Sequence, residues 1–401
     1  MRHLAKSAPP SVEPVQKDLS MIPRTVFSEE HDIFRHTVRN FVEKEIVPFH
    51  SAWEDAGIVD RSCWEKAGAA GLLCCGMPED YGGAGGDFLF GAIVQEELAF
   101  AGTTGPGFHL HSDIVAPYLL HYGTEAQKQK YLPRMARGEI IGALAMSEPN
   151  AGSDVSAIGT RAVKTENGYR LSGQKIFITN GQNADIVIVA CKTNKDAGAK
   201  GISLVIVERD DEGFTRGRNL EKIGWHAQDT SELFFDDVFL PDDRLLGPLD
   251  GGFACLMDQL PQERLLACIR GTAAIEAVVD LTAQYVKDRQ VFGKPLSAKQ
   301  NTRFAMADAK THAITARVLT DKLIELHQQG GLDATQAAVG KLYVTELCTT
   351  LMDDCLQLHG GYGYMREYAV ARAWVDNRFS RIAGGSSEIM RELIARFLFG
   401  R

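Results

Sequence analysis

The sequence has no apolar run of membrane-spanning length and no excess of positive charge. A transmembrane helix needs about 20 consecutive apolar residues, and every apolar stretch here is interrupted before that length. The chain carries 43 lysines and arginines against 52 aspartates and glutamates, a formal net charge of −9. Nucleic-acid binding needs a clustered basic surface, and anionic lipid headgroups repel an acidic chain. We therefore expect neither a nucleic-acid partner nor a membrane span.

Paired cysteines and metal-ligand spacings are also missing. None of the eight cysteines belongs to a C-x-x-C pair, and the cysteines and histidines do not follow the spacing of a zinc site. The cysteines are scattered among apolar runs, which is typical of reduced, buried thiols. We therefore expect no metal and a reducing compartment. A bacterial cytoplasm is the preferred location, and the mitochondrial matrix is the alternative for a eukaryotic source.

A dinucleotide-binding fingerprint is absent as well. No G-x-G-x-x-G motif opens a helix after a strand, and the segment Gly360-Gly361-Tyr362-Gly363 stands between two helical patterns. The predicted elements run from helices to strands and back to helices, which is not the βαβ order of a doubly wound sheet. These observations do not support a dinucleotide fingerprint of the Rossmann type.

The chain divides into regions of different periodicity. Its 401 residues are too many for one compact core and predict two or three domains. Residues 1–26 are predicted to form a loose arm, and the first 20 of them contain three prolines. Residues 27–143 show helical periodicity, with Phe88–Phe100 as one helix. Residues 144–250 contain short β-rich runs split by turn residues, which indicates a small central β-barrel or sandwich.

Residues 251–401 return to long helical patterns and predict a C-terminal antiparallel four-helix bundle. The fold class is therefore α+β. One apolar stripe of this region keeps the helical period over four turns; it consists of Phe304, Ala307, Thr311, Ile314 and Val318.

Several segments combine residues that suit a bound ligand. Ala145–Asp154 and Lys175–Asn180 offer hydroxyl groups and backbone donors near β runs. Tyr285–Gly293 contains Arg289, and a guanidinium fork suits a diphosphate. Gln357–Tyr364 is rich in glycine, which lets backbone amides approach a ligand closely. Taken singly, each segment also fits an ordinary surface loop or helix end.

In their order and spacing, these segments resemble the acyl-CoA dehydrogenase family, from about residue 27 to residue 400. The resemblance implies FAD as cofactor and a fatty-acid β-oxidation enzyme, which oxidises a saturated acyl-CoA to the trans-2-enoyl-CoA. It implies electron-transfer flavoprotein as the electron acceptor. In the family, part of the FAD site belongs to a neighbouring subunit, so a homo-oligomer is expected, and analogy alone favours a tetramer over a dimer.

The resemblance also assigns roles to individual residues. It places Met146, Ser147, Phe177 and Thr179 around the flavin ring, with Phe177 where many relatives have tryptophan. It places Arg289, Phe292 and Gln300 at the diphosphate and adenine side of FAD. Further FAD contacts are implied for Gln357, Gly360, Gly361, Ser386 and Glu388. The implied substrate contacts are Ser153, Arg264, Gly384 and Gly385.

The catalytic base is the point at which this chain departs from the commoner pattern. Most members of the family carry the proton-abstracting glutamate where this sequence has Gly384. Glu263, in Leu260-Pro-Gln-Glu-Arg-Leu265, falls at the alternative helix position used by the long-chain and isovaleryl-type branches. A glutamate beside an arginine on a helix is otherwise commonly a surface ion pair. The vacant carboxylate position at Gly384 favours Glu263 as the base.

Other functions remain open at this stage. The isovaleryl-type branch shares the relocated base, so a branched or terpenoid acyl-CoA is an alternative to a long or medium straight chain. A flavin oxidase or monooxygenase on the same fold is a second alternative, distinguished by fast reoxidation of the reduced flavin in air. A non-enzymatic binding or assembly factor is a third, and failure to copurify a yellow cofactor would favour it.

Overall fold

The computed structural model describes residues 21–400. Most of the predicted arm, residues 1–20, lies outside this range. At the described end of that segment, Arg24 is held by ion pairs to Glu96 and Asp321 at 2.9 and 2.7 Å. Residues 21–400 contain no helix with the length and hydropathy to cross a membrane.

The N-terminal part of the described chain is helical. Its helices are α1 (Glu29–Phe41), α2 (Val47–Ala56), α3 (Arg61–Ala69), α4 (Phe88–Phe100), α5 (Phe108–Leu110), α6 (Ala116–Tyr122) and α7 (Glu125–Ala136). A π-helical turn, His111–Val115, joins α5 to α6 without a break. The continuous helical stretch from Phe108 to Tyr122 is called the 108–122 segment below.

The central part is a mixed sheet. Its strands are β1 (Gly142–Ala145), β2 (Arg161–Thr165), β3 (Gly168–Thr179), β4 (Ile186–Lys192), β5 (Ile202–Glu208), β6 (Phe214–Asn219), β7 (Thr230–Pro241) and β8 (Leu245–Leu246). They pair in the order β6-β7-β3-β2-β4-β5-β8, and β1 lies parallel to β4 with Gly142 opposite Ile186. Every residue of β1 is buried, as expected for a strand with both faces covered.

The C-terminal part is helical again. It contains α8 (Gly252–Asp288), a short hairpin of β9 (Gln290–Val291) and β10 (Lys294–Pro295), α9 (Gln300–Gln328), α10 (Ala334–His359), α11 (Ala369–Asn377) and α12 (Ser387–Phe399). The chain is thus a mixed fold of helical N- and C-terminal regions around a central sheet. A closed barrel or sandwich, and a regular four-helix bundle, stay predictions at that finer level.

The apolar stripe predicted on α9 has the right period but faces outward. Phe304 is 59% exposed and Val318 is 47% exposed, whereas Ala309, Ala313 and Ala316 face the core. Small residues let α9 pack closely on α8 and α10, so the larger side chains are left on the outer face. A single chain therefore carries an uncovered apolar face on this helix.

A buried ion network joins the N- and C-terminal helical regions. The Glu96 side chain on α4 has no exposed surface and contacts three guanidinium groups. They belong to Arg24, Arg35 and Arg317, at 2.9, 2.8 and 2.6 Å. Burial opposes ionisation of Glu96, but the three arginines outweigh it and hold the pKa of the carboxyl well below its usual range.

All eight cysteines lie in the described residues and are free and buried, as their apolar surroundings predict. Burial raises the pKa of the Cys63 thiol to about 12. Residues 21–400 contain no cluster of three or more histidine, cysteine, aspartate or glutamate side chains that could hold a metal ion.

Candidate active site

A buried lysine joins the two segments that the sequence placed around a flavin ring. Lys175 on β3 is 1% exposed, and its Nζ donates to the Met146 carbonyl at 2.9 Å and to Glu148 Oε1 at 2.8 Å. The Ile176 amide donates to the Ser147 carbonyl at 3.0 Å. Glu148 also accepts the Thr160 amide at 3.0 Å. These bonds fix the loop after β1 against the end of β3.

An irregularity in β3 turns Phe177 outward. The β3–β7 register shifts between Lys175 and Ile178, and Phe177 has φ +62°. A β-bulge re-aims a side chain in this way, and a positive φ is unusual for an aromatic residue. The Phe177 ring is 66% exposed next to the half-buried Thr179. The strand thus presents an uncovered aromatic ring two residues before a threonine hydroxyl, a combination that suits a planar, hydrogen-bonding ligand.

A second group of predicted residues lines a cavity of about 530 Å³ between the end of α8 and the end of α10. Arg289, Gln357, Gly360 and Gly361 all contribute to its wall. The Arg289 guanidinium lies 5.4 Å from the centroid of the Tyr362 ring. The cavity therefore combines a cation, an amide side chain and an aromatic face.

The two glycines leave the wall of this cavity open. A Cβ atom at Gly360 or Gly361 would meet no atom within 4 Å, and Gly360 has φ +58°. The backbone can therefore approach a ligand without an intervening side chain. A diphosphate-containing dinucleotide such as FAD fits this set of donors.

A second buried lysine holds the turn around Gly384. Lys341 on α10 donates to the Ser380 carbonyl at 3.0 Å and to the Gly385 carbonyl at 2.8 Å. Desolvation lowers the pKa of its ammonium group to about 8. Gly384 and Gly385 have φ values of +66° and +97°. The left-handed backbone of this turn thus favours glycine, and Lys341 holds its carbonyl groups.

Arg264 reaches the same turn from α8. It is 5% exposed, and its Nε has no hydrogen-bond partner among the described residues. A Cβ atom on Gly385 would lie 3.9 Å from Arg264 Nη2. Since Glu263 precedes Arg264, α8 brings the predicted base to the neighbourhood of the glycine turn. An unsatisfied buried donor here is available to a bound ligand.

The Glu263 side chain is largely removed from water but is still partly accessible. It retains part of its accessible surface, and its Oε1 accepts a hydrogen bond from the buried Tyr118 hydroxyl at 3.2 Å. Desolvation raises the pKa of Glu263 to about 7, although the Tyr118 hydrogen bond and the nearby Arg264 act in the opposite direction. A carboxyl group that changes charge near neutral pH suits a general base.

Other predicted residues lie apart from these groups. Phe292 is 96% exposed at the tip of the β9–β10 hairpin, and Gln300 is exposed at the start of α9; neither lines the cavity. Ser153 lies on the exposed loop between β1 and β2. Ser386 caps α12 by accepting the Ile389 amide at 3.4 Å, and Glu388 is exposed in its first turn.

Three residues that position the site were not identified from the sequence: Tyr118, Lys175 and Lys341. Lys175 interrupts an apolar β run, and Lys341 occupies a helix position that is fully buried. A lysine at a core-facing position is the available signal, because buried cations need specific partners. Tyr118 offers no such signal, since its contact with Glu263 joins residues 145 positions apart.

Comparison with known proteins supports the same reading. Three family models match the chain: the acyl-CoA dehydrogenase N-terminal domain over residues 28–139, its middle domain over 143–238 and its C-terminal domain over 250–399. The chain is 49% identical over 375 residues to the mitochondrial long-chain specific acyl-CoA dehydrogenase of Sus scrofa, covering 93% of this chain and 87% of that protein. It is 35% identical over 377 residues to the mitochondrial isovaleryl-CoA dehydrogenase of Solanum tuberosum, covering 93% and 92%.

A solved structure agrees in fold. The crystal structure of an acyl-CoA dehydrogenase from Geobacillus kaustophilus superposes with a TM-score of 0.92 at 46% identity, over 94% of this chain and all of that one. The family models and the similar proteins show that the chain is an oxidoreductase of the flavoprotein class, with FAD as cofactor. The chain belongs to the acyl-CoA dehydrogenase family.

Proposed function

We propose that this protein oxidises a saturated long- or medium-chain acyl-CoA to the trans-2-enoyl-CoA, with Glu263 as the base that removes the α-proton. The observation that carries this proposal is the desolvated Glu263 carboxyl, whose pKa is raised to about 7 next to a turn without a carboxylate. Anaerobic mixing with a saturated acyl-CoA tests it. Loss of flavin colour together with formation of the enoyl thioester supports the reaction, and an unchanged spectrum with every saturated acyl thioester tried contradicts it.

The residues around Glu263 explain how it could act on a weak carbon acid. Outside water, the carboxylate is a stronger base than it is in solution, because burial penalises its charge. The Tyr118 hydroxyl, 3.2 Å from Oε1, orients the carboxyl group and keeps it ionisable near neutral pH. Because this hydrogen bond fixes the orientation of the carboxyl group, Glu263 takes up the substrate α-proton in one defined geometry.

The turn at Gly384 is suited to hold the thioester oxygen. Its backbone N–H is available for the negative charge that develops on this oxygen as the α-proton leaves. A preorganised donor of this kind is worth about 3–4 kcal/mol. Lys341 fixes the carbonyl groups of the same turn at 2.8 and 3.0 Å, so the N–H needs little reorganisation. Arg264, Gly385 and Ser153 are the further substrate contacts that we propose.

Two groups of residues are proposed to hold FAD. Met146, Ser147, Phe177 and Thr179 face its ring, with Ser386 and Glu388 in the same subunit. Arg289, Gln357, Gly360 and Gly361 line the cavity of about 530 Å³ that we assign to the dinucleotide part, and Phe292 and Gln300 lie beside it. When bound, FAD supplies the two-electron acceptor for the hydride of the substrate β-carbon.

We also propose that the protein is a homo-oligomer, with a tetramer preferred by family analogy. The uncovered apolar stripe of α9, which includes Phe304 and Val318, supports this, because a monomer seldom leaves such a face open. Electron-transfer flavoprotein is the proposed electron acceptor, and family membership supports it. A bacterial cytoplasm is the proposed location, with the mitochondrial matrix for a eukaryotic source; the named eukaryotic relatives are mitochondrial.

A branched acyl-CoA is the second candidate substrate. The isovaleryl-CoA dehydrogenase relative favours it, and the small residue at Gly384 leaves room near the reacting carbons. Bleaching rates with matched straight and branched acyl-CoAs decide between the two. Fast reoxidation of the reduced flavin in air, without an added acceptor, would instead favour an oxidase.

The rate of flavin bleaching by substrate should rise with pH around the pKa of Glu263, because the deprotonated carboxylate is the active form. The wild-type rate therefore falls as pH drops below about 7. Replacing Tyr118 by phenylalanine removes a hydrogen bond that favours the carboxylate, so the pH profile moves up by about one pH unit. Stopped-flow bleaching between pH 5.5 and 9 measures this shift. An unshifted profile in a folded Tyr118→Phe variant would show that this contact does not govern the base.

Replacing Arg289 by alanine should weaken FAD binding about 10–100-fold, since a charge-assisted hydrogen bond contributes about 1.5–3 kcal/mol. Flavin absorbance per chain after gel filtration, followed by titration of the apoprotein with FAD, measures the effect. Arg303→Ala is the matched control, because Arg303 is exposed on α9 and does not line the cavity. Equal FAD affinity in both variants would remove Arg289 from the cofactor site.

A further inference from the structure

Helix α8 and the 108–122 segment run antiparallel to each other. Four contacts follow one another in opposite chain order. Tyr122 Oη donates to the Cys255 carbonyl at 3.5 Å, and Gln259 Nε2 lies 3.0 Å from His121 Nδ1. Tyr118 then meets Glu263 at 3.2 Å, and Arg270 Nη1 donates to His109 Nε2 at 3.0 Å. Glu263 and Arg270 thus mark two points along one helix–helix boundary.

Four partly buried ionisable side chains lie along this helix–helix boundary, which is called the groove below. Glu263 and Arg270 on α8 and His109 and Asp113 on the facing segment each retain part of their accessible surface. Burial nevertheless dominates the pKa of every one of them. Each of these side chains is therefore held largely out of bulk water without being fully enclosed. A groove for a plain alkyl chain would be lined mainly by apolar groups.

Glu263 and Arg270 lie on the same face of α8. They are seven residues apart, which is close to two full turns and about 10 Å along the helix axis. A substrate held with its α-carbon at Glu263 and its acyl chain along the groove therefore passes the Arg270 guanidinium.

The hydrogen-bonding capacity of Arg270 is mostly unused. A guanidinium has five N–H donors, and the single hydrogen bond of Arg270 within residues 21–400 goes to His109 Nε2. Because Arg270 can only donate, His109 accepts and stays neutral. One face of the guanidinium stacks on Trp225, 4.2 Å from the ring centroid.

The cation also lacks a direct counterion. No carboxylate within residues 21–400 forms an ion pair with Arg270. Asp376 acts on it only at longer range. The two oxygens of Asp376 accept hydrogen bonds from the Trp225 amide at 2.6 Å and the Thr104 hydroxyl at 3.0 Å. A buried cation without an anionic partner is costly, and an alkyl chain beside it would add to that cost.

We propose that the acyl chain oxidised by this enzyme carries a carboxylate, and that Arg270 binds it in the groove two helical turns from Glu263. The substrate carboxylate forms an ion pair with Arg270 and accepts hydrogen bonds from its unused N–H groups. The Trp225 ring holds the guanidinium in place. This inference rests on the proposed acyl-CoA dehydrogenation and narrows its substrate to carboxyl-bearing acyl thioesters.

The test uses pairs of acyl-CoA thioesters of increasing chain length. The two members of a pair have the same number of acyl carbons, and one ends in a methyl group while the other ends in a carboxylate. Anaerobic stopped-flow bleaching of the flavin in the purified holoenzyme gives the apparent second-order rate constant for each. We expect the wild type to prefer the carboxylate at one intermediate length. In Arg270→Met, the ratio of carboxylate to methyl rates at that length should fall about 10–100-fold.

Two further variants separate recognition from folding. Arg270→Lys retains the cation and should keep part of the preference for the carboxylate. Arg218→Met removes an exposed arginine on β6 and should leave the ratio of carboxylate to methyl rates unchanged. A wild type that prefers methyl ends at every length, or a folded Arg270→Met with an unchanged ratio, overturns the carboxylate site. Bleaching by methyl-ended thioesters then still supports the proposed reaction, whereas no bleaching by either series contradicts the proposed function itself.

Discussion

Replacing Glu263 by glutamine should slow anaerobic bleaching of the flavin by a saturated acyl-CoA about 10²–10⁴-fold, the usual contribution of a positioned general base. Glutamine keeps the size of the side chain and can still contact the Tyr118 hydroxyl, which lies 3.2 Å from Oε1 in the native protein. It cannot accept the α-proton. The flavin content and the melting temperature should therefore remain near those of the wild type, while the rate of bleaching falls. Equal rates in both proteins would remove Glu263 as the base.

A second carboxylate position provides the matched control. The sequence resemblance places the glutamate of most family members at Gly384, and a Cβ atom there meets only Lys341 Cε, at 3.5 Å. A glutamate can therefore be accommodated, at a cost of about 1–2 kcal/mol for its left-handed backbone at φ +66°. The Glu263→Gln, Gly384→Glu double variant should recover part of the lost rate. If the double variant folds and binds FAD but recovers nothing, the turn does not face the α-carbon.

Replacing Glu96 by alanine should lower the free energy of unfolding by about 3–5 kcal/mol, the usual effect of removing one partner from a buried ion pair. The change leaves Arg24, Arg35 and Arg317 close together without their shared anion. Urea unfolding at pH 7, compared with Glu392→Ala, measures it. Glu392 pairs with Arg396 on the exposed surface of α12, and such pairs contribute about 1 kcal/mol or less. Similar losses in both variants would show that the network is not a stabilising core.

The Glu96 effect should also depend on pH in a defined direction. The folded protein holds the pKa of Glu96 below its ordinary value of 4.5. The carboxylate therefore contributes its full stabilisation above about pH 4.5 and loses it as pH falls further. The difference in unfolding free energy between the wild type and Glu96→Ala should be largest near neutral pH and shrink in acid. A difference that grows on acidification would contradict the assigned charge state.

Local patterns predicted the regular elements well. The helix Phe88–Phe100 has the predicted bounds, because Asp87 caps it and its apolar residues continue to the end. The β-rich region 144–250 forms the central sheet, in which the residues around Tyr169 and Phe177 belong to one strand, β3. Turn residues between them bend the strand at a bulge and do not end it. Propensity signals record such a bulge as a break.

Other features depended on contacts that no local pattern contains. Pro48 does not break the first helical stretch, because a π-helical turn, Val42–Ile46, lets the chain continue into α2. Pro48 lies in the first turn of α2, where a missing N–H costs nothing. The large apolar residues of α9 repeat with the helical period but lie on its outer face, because alanines occupy the face that packs on the core. Periodicity indicates a face but does not say what covers it.

The candidate site divides in the same way. The residues proposed to face ligand, such as Glu263, Phe177 and Gly360, were recognisable in motifs of adjacent residues. The side chains that hold them, Lys175 and Lys341, act across 27 to 44 positions of sequence. Arg270 was not singled out, because a lone arginine on a long helix is ordinarily solvated. Its neighbours His109 and Trp225 come from distant segments, and only the folded chain brings them together.

The most direct test of the central claim is a single anaerobic turnover of the wild-type holoenzyme with a saturated long-chain acyl-CoA and with carboxyl-ended and branched thioesters, followed by analysis of the released thioester. The proposed function predicts rapid bleaching with at least one of these substrates and one trans-2-enoyl-CoA formed per flavin reduced. Bleaching without an enoyl product, or no bleaching by any of these thioesters, would contradict dehydrogenation across the α and β carbons as the reaction of this protein.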